Sequence, residues 1–244
     1  VIEIRELHRL EEFAEAFRLF TGIWGFEPGN QPVNPEMMRA LSHAGNYVAG
    51  AYEGGLMVGA SVAFFAEGAA LHSHITGALT GRGIGLELKR HQRRWALDRG
   101  LDRITWTYDP LVRRNAHFNL TKLGARPEKY LPSFYGVMDD AVNKGDDSDR
   151  LLAVWRLGAP PSPFTVEGAR VALREEAGRP VEGSMDARVL LVAVPEDVES
   201  LRKEDAGAAK AWRHAVRDVL GGLLDGGARV TGFHAKSYYV VERP

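Results

Sequence analysis

Residues 71–85 read Leu71-His72-Ser73-His74-Ile75-Thr76-Gly77-Ala78-Leu79-Thr80-Gly81-Arg82-Gly83-Ile84-Gly85. Leu71 to Leu79 is a strand, Thr80 to Gly83 a tight turn, and a helix begins at Ile84 or Gly85. Glycines at 81, 83 and 85 remove side chains where the backbone must turn. They leave bare N–H groups at a helix start, which is a place for a phosphate.

Upstream, the pattern sets the context of this turn. Ile2 and Ile4 alternate with charged residues as a short strand. Glu11 to Phe20 spaces Phe13, Ala16, Phe17 and Phe20 onto one helical face, and Pro35 to Leu41 is a second short helix. Tyr47 to Tyr52, Leu56 to Phe65 and Leu71 to Leu79 are three consecutive strands; Glu53-Gly54-Gly55 and Glu67-Gly68 are the turns between them. A dinucleotide-binding unit places its glycine turn after the first strand of a βαβ unit. An antiparallel meander precedes the turn here, so a nucleotide-dependent oxidoreductase is set aside on element order.

Downstream, Leu86 to Arg99 is a helix stopped by Gly100, and Arg103 to Tyr108 is a strand bounded by Asp109-Pro110. Asn115 to Leu123 is a helix closed by Gly124. Tyr135 to Val142 and Arg150 to Leu157 read as a hairpin around Asn143-Lys144-Gly145-Asp146-Asp147. Gly158 to Pro163 is the clearest linker, with three prolines in six residues. Beyond it, Arg188 to Val194 is a strand, Ala206 to Leu224 a long helix, and Arg229 to Val241 further strand. The expected organisation is a mixed α/β (α+β) domain over 1–157, a linker over 158–163, and a βαβ-like annex over 164–244. The annex helix carries Trp212, Val216, Val219, Leu220, Leu223 and Leu224. That apolar surface docks on the first domain or on a partner subunit, and a homodimer is the assembly it suggests.

Composition narrows the function classes. A formal net charge of -1 over 244 residues favours neither nucleic acid nor an anionic membrane. No apolar run reaches the roughly 18 residues of a membrane helix, and the first residues lack a signal-like apolar core. With no cysteine, disulfides, thiolate zinc sites and Cys nucleophiles are excluded. A cytoplasmic address is the expectation.

A strand, a G-x-G-x-G turn, a helix, a strand and a second helix ending Lys-x-Gly is the pattern of the GNAT superfamily of acyl-CoA N-acyltransferases. The chain resembles it through Gly81-Arg82-Gly83-Ile84-Gly85, Asn115-Ala116 and Lys122-Leu123-Gly124-Ala125. It is also similar to a less characterised branch with a C-terminal extension. That likeness runs through Leu71-His72-Ser73-His74, Trp106-Thr107-Tyr108-Asp109-Pro110, Tyr135-Gly136, Ser148-Asp149-Arg150, Ala211-Trp212-Arg213 with Arg217, Val230 to His234 and Tyr238-Tyr239. Some relatives there are linked to amino-acid N-succinylation. The resemblance implies acetyl-CoA or succinyl-CoA as co-substrate, a small-molecule amine such as an amino acid as acceptor, and no metal. Two departures stand out. The family's V-x-P-x-x-R lead-in is missing, since Ala78-Leu79-Thr80 runs straight into Gly81. Leu120 occupies the position where many members carry a thiolate-protonating Tyr.

The residues fit that chemistry as follows. N–H groups from Gly81, Arg82, Gly83, Ile84 and Gly85 would hold a pyrophosphate. Backbone near Ile75 to Leu79, with Ala78, Leu79 and Thr80 at its end, would pair with pantetheine amides as an added strand does. Gly77 marks a bulge or close approach. Attack by the amine needs a base; His72 ranks first and His74 second, on one strand face with Thr76 and Ala78. Core hydrogen bonding is their alternative role, and a two-His zinc site lacks a third ligand. Tyr135, ahead of Tyr108 and Tyr130, is the candidate leaving-group acid. Asn115 and Asn119 are candidate co-substrate contacts, helix capping being the other role of Asn115. Lys89, Arg90, Arg93 and Arg94 read as a solvated helix face or a ribose-phosphate contact. Arg113, Arg114 and Arg126 are candidate carboxylate forks. The competing function is a non-catalytic acyl-CoA-binding or scaffold protein.

Overall fold

The computed structural model describes residues 1–26, 29–136 and 146–244. They fall into two compact units. One holds Val1–Trp106 with Arg156–Gly158; the other holds Ala159–Pro244 with the described part of 107–155.

The first unit is organised around an antiparallel run of strands. Its elements are β1 (Glu3–Glu6), α1 (Leu10–Trp24), α2 (Pro35–His43), β2 (Tyr47–Glu53), β3 (Leu56–Ala66), β4 (Ala70–Ala78), α3 (Ile84–Leu97) and the start of β5 (Arg103–Tyr108). The β2–β3 hairpin turns through Gly54 and Gly55, at φ 58° and 83°, the left-handed pair that a two-residue hairpin demands. Helices cover both faces. Phe13, Ala16 and Phe20 of α1 and Met38 of α2 form one core with Val48, Val62 and Ile75. On the opposite face Ile84 and Leu88 of α3 pack with Ala51 and Val58. Gly59 on β3 lets α3 sit close: an added Cβ there would lie 2.8 Å from Ile84 and 2.9 Å from Leu88. The start of α3 is thereby seated against the end of the meander.

Hydrogen-bonded strand order in the first unit is β1-β2-β3-β4-β5, and in the second β6 at Arg126–Leu131 lies beside β7 at Arg150–Arg156. β4 and β5 are parallel; β6 and β7 are antiparallel. The division between units runs through β5 and β7.

The second unit adds a five-stranded sheet, β11-β12-β10-β8-β9, made of β8 (Arg170–Glu176), β9 (Arg179–Glu182), β10 (Val189–Ala193), β11 (Arg229–His234) and β12 (Tyr238–Glu242). Its helices are α4 (Arg113–His117), continued by a π turn at Phe118–Lys122, α5 (Val198–Glu204) and α6 (Ala206–Val216). A second π turn at Arg217–Gly221 leads into α7 (Gly222–Asp225). The annex thus holds two strands, β8 and β9, and a helix, α5, beyond those read from the sequence. The further strand expected over Arg229 to Val241 is a hairpin of β11 and β12.

One strand assignment is corrected. β7 pairs with β6, a strand not read from the sequence. Tyr135 stands in a turn and is exposed; the rest of that expected strand, 137–142, and the turn residues 143–145 lie outside the described residues.

Charged side chains brace the second unit from within. Asp109, 6% exposed, accepts from Arg213 at 2.8 Å through both carboxylate oxygens and from Arg202 at 2.7 Å. Asp146 is shared by the same two arginines. Arg217 bonds Asp147 and Asp149, and Tyr130 donates to Asp149 at 2.7 Å. Several residues that carried the family likeness, Asp109, Asp149, Arg213 and Arg217, are therefore structural partners of one another.

Candidate active site

The geometry begins where β4 leaves β5. Their parallel register runs Ala70↔Arg103, Leu71↔Ile104 and His72↔Thr105, and ends there. β4 continues to Ala78 and then enters the glycine turn. Among the described residues, its backbone beyond His72 has no β5 partner, which leaves a strand edge open to an extended amide-bearing chain.

On its other side β4 pairs with β3, with one irregularity. Val62 faces Ile75 and Ala63 faces Ser73, so His74 is the extra residue of a bulge. The bulge shifts the faces. Ser73 and Thr76 now meet, with hydroxyls 3.4 Å apart, and Thr76 bonds Ser61 at 2.8 Å. Ala78 joins the α3 side, whereas Gly77 abuts Trp24 and Ile23 of α1, and Ile75 the α1–α2 core. The expectation that His72 and His74 share a face with Thr76 and Ala78 is therefore corrected: strict alternation assumed an unbroken ladder, and the bulge resets it.

The two histidines stay together. Both rings lie against Phe64, at centroid distances of 5.3 Å and 5.9 Å. His72 Nδ1 is 3.0 Å from Thr105 Oγ1. Burial, reinforced by His74 and Lys89, lowers the His72 pKa to about 4, so the ring is neutral at physiological pH. His74 Nε2 lies 3.0 Å from the Pro32 carbonyl. A carbonyl only accepts, so that nitrogen carries hydrogen and is committed. His72 is free of such a tie: if its Nδ1–H donates to Thr105, its Nε2 lone pair can take a proton.

At the end of β4, Gly81 and Gly83 adopt φ 84° and 70°. Gly83 is the N-cap of α3 and has no side chain to cap with. Leu86 and Glu87 donate to the Gly83 carbonyl. Among the described residues, the N–H groups of Gly81, Arg82, Gly83, Ile84 and Gly85 have no internal acceptor, as expected for a helix start. An added Cβ at Gly81, Gly83 or Gly85 would meet nothing within 4 Å, so the backbone faces open space. The Arg82 guanidinium pairs with Glu53 of the β2–β3 turn. Thr80 and Leu79 complete the turn, Leu79 through its N–H to the Val58 carbonyl at 2.9 Å.

The remaining candidates belong to the second unit. Tyr135 Oη is 3.4 Å from Thr107 Oγ1, and its ring lies 5.7 Å from the Arg150 guanidinium. Asn115 is exposed on α4 and Asn119 is buried in the π turn. Arg113, Arg114 and Arg126 have internal partners: Arg113 donates to the Val194 carbonyl, Arg114 forks onto Glu199, and Arg126 bonds the carbonyls of Leu120, Ala125 and Ser162.

At the fork, sequence reasoning passed over Gln92 and read Lys89 only as part of a basic helix face or a ribose-phosphate contact. Lys89 is 6% exposed and does not share the solvated face expected with Arg90, Arg93 and Arg94. It donates to Ser73 at 2.8 Å and Gln92 at 3.3 Å and sits 4.2 Å from the Trp106 ring centroid. Thr105 was likewise missed. The signal was present for Lys89: Lys89, Gln92 and Ala96 form an i, i+3, i+7 stripe beside Ile84 and Leu88.

Among the described residues, no group of three or more His, Asp or Glu side chains could hold a metal, and no helix is long and apolar enough to cross a membrane. No protein-family model and no curated protein sequence matches the chain. Solved structures do match. A GNAT-family acetyltransferase from Streptococcus pneumoniae aligns at 15% identity and TM-score 0.52, over 65% of this chain and all of that one. The ribosomal-protein-S18-alanine N-acetyltransferase of Escherichia coli aligns at 10% identity and TM-score 0.53, over 68% of this chain and 99% of its own. A Salmonella typhimurium protein solved with its cofactor acetyl-CoA aligns at 14% identity and TM-score 0.54, over 67% and 98%. The likeness at these identities is one of architecture, and this chain has the fold of the GNAT acyl-CoA N-acyltransferases.

Proposed function

We propose that this protein transfers an acyl group from acyl-CoA to the amine of a small molecule, an amino acid being the favoured class. One observation carries the reading: the β4–β5 ladder stops at His72↔Thr105 while β4 runs on into a glycine turn whose N–H groups stand open. A pantetheine arm fits the edge of β4 from Ile75 to Thr80. A pyrophosphate fits the N–H groups from Gly81 to Gly85. Acetyl-CoA and succinyl-CoA are the proposed donors.

His72 is the proposed base. The neutral amine attacks the thioester carbonyl directly in a ternary complex, since the chain has no cysteine to form an acyl-enzyme. As the C–N bond forms and the C–S bond breaks, His72 Nε2 takes the proton that the acylated nitrogen sheds while Nδ1–H donates to Thr105. His74, held by Pro32, is the auxiliary. Tyr135 is the proposed donor to the departing thiolate, and Asn115 and Asn119 are proposed co-substrate contacts. Residues 1–157 are proposed as the transferase part and 164–244 as a subdomain that docks on it or on a second copy; the solution mass tests the dimer.

Calorimetry and thermal shift with acetyl-CoA and succinyl-CoA test the donor, because a ligand bound only by the folded state raises stability by about 2.7 kcal/mol at a hundred times Kd. Free-thiol release with a panel of amino acids and other small amines tests the reaction. One observation favours a second reading, a non-catalytic acyl-CoA binder: buried Leu120 stands where the likeness expects a Tyr. Tight acyl-CoA binding with no thiol release from any donor–amine pair selects it.

A further inference from the structure

Lys89 is an anomaly of the first unit. It is an amine buried in the core whose contacts are a hydroxyl, an amide oxygen and an indole face, none of them a carboxylate. Burial lowers its pKa to about 7. The cluster around it is neutral: Gln92 donates to Ser61 at 3.2 Å, Ser61 bonds Thr76, and Thr76 meets Ser73. His72 is the titratable neighbour on β4 whose own ionisation it opposes. An apolar side chain would fill this place at lower cost to stability, so the amine needs another explanation.

Its position supplies one. The last paired residues of the two parallel strands are His72 and Thr105. The next residue on β4 is Ser73 and the next on β5 is Trp106. These are two of the three groups that the Lys89 amine touches. From α3, one side chain thus holds the first residue beyond the fork on each strand.

We propose that Lys89 is a positioning residue for the acyl-CoA slot: by tying Ser73 and Trp106 to α3 it stops β4 and β5 from pairing further, and so keeps the strand edge open for the pantetheine arm. The inference rests on the acyl-CoA reading above. Without the amine, Ser73 and Trp106 lose their common anchor, and the two parallel strands are free to extend their ladder and close the slot. The amine is a positioning element that costs stability, an arrangement common at functional sites.

The test is calorimetric binding of acetyl-CoA to the full-length wild type and to K89M, K89Q and S73A, with thermal melts of each. The expected result has three parts. K89M melts at or above the wild-type temperature at pH 7, binds acetyl-CoA at least about tenfold more weakly, and is partly rescued in K89Q, which restores an N–H donor. A K89M Kd within about twofold of wild type overturns the proposal. So does a K89M protein with a lowered melting temperature and no recovery in K89Q, because the residue is then a plain structural support. If K89M does not fold, S73A decides: it removes the acceptor on β4, and a loss of about fivefold or more supports the anchor while unchanged binding overturns it. Wild type that binds no acetyl-CoA brings down the acyl-CoA reading itself, and this inference with it, a result that cannot be confused with one confined to the variants.

Discussion

At the scale of single residues, the first unit holds two nitrogen bases at low proton affinity in one small region, and pH reads both. His72 has a folded pKa of about 4 against an ordinary value of 6.5. Between these values the unfolded chain binds a proton that the folded chain does not, so His72 makes stability rise with pH over that window. Its penalty is gone above about pH 6.5. His72→Gln therefore flattens the stability profile between pH 4 and 6.5, as urea titrations will show, and lowers kcat by about a hundredfold if it is the base while leaving acetyl-CoA affinity unchanged. Lys89 extends the logic upward, with a folded pKa of about 7 against 10.5. The unfolded chain holds the extra proton between those values. A Lys89→Met protein is then more stable than wild type at pH 7 by an amount on the order of a few kcal/mol. The advantage shrinks as pH rises and vanishes near 10.5, and denaturation at pH 7, 8.5 and 10 measures it.

At the scale of elements, the glycine turn and the bulge do different jobs. Gly81 and Gly83 lie at positive φ. Alanine at either position costs about 1–2 kcal/mol of backbone strain and brings a methyl toward the proposed pyrophosphate. Gly83→Ala should weaken acetyl-CoA binding more than it lowers the melting temperature, and calorimetry beside a thermal melt separates the two. Gly77 is limited by contact instead. A Cβ there would lie 2.7 Å from the Trp24 ring, so Gly77→Ala overpacks the α1 side and destabilises by about 1–3 kcal/mol. The meander, the glycine turn and α3 were legible because each is written locally, in period-two alternation, in glycine and in apolar spacing. The bulge at His74 was not. Nothing in Ser73-His74-Ile75 demands it locally; it shows only once β3 and β4 are paired, and with it went the assignment of faces. β8 and β9 escaped for a related reason, because Arg170–Glu176 and Arg179–Glu182 are rich in charge and the second contains Pro180, features that count against a strand until a sheet edge accepts them. The π turns at Phe118–Lys122 and Arg217–Gly221 leave no mark in apolar spacing and read as ordinary helix. Tyr135, read as the first residue of a strand, stands in a turn instead.

At the scale of the molecule, the second unit depends on its buried ion pairs. Burial alone would push the Asp109 carboxyl up, but Arg213, Arg202 and Arg150 hold it well below the ordinary carboxylate range. Its folded value thus lies under its unfolded one, and the stability it confers is present above about pH 4 and lost as the pH falls below that. Arg213→Met leaves the Asp109 and Asp146 carboxylates short of a partner and should destabilise this unit by about 3–5 kcal/mol. Protease susceptibility or amide exchange of residues 107–136 and 159–244 will report it.

The same pairs set a timetable for synthesis. Asp109 and Arg213 are 104 residues apart in the chain, and Asp149 and Arg217 are 68 apart. At the usual ribosomal rate of about 5–20 residues per second, Asp109 emerges roughly 5–20 seconds ahead of the arginine that neutralises it. Through that interval the nascent chain carries carboxylates still without these partners, so the contacts that close the second unit form late, and being non-local they form slowly.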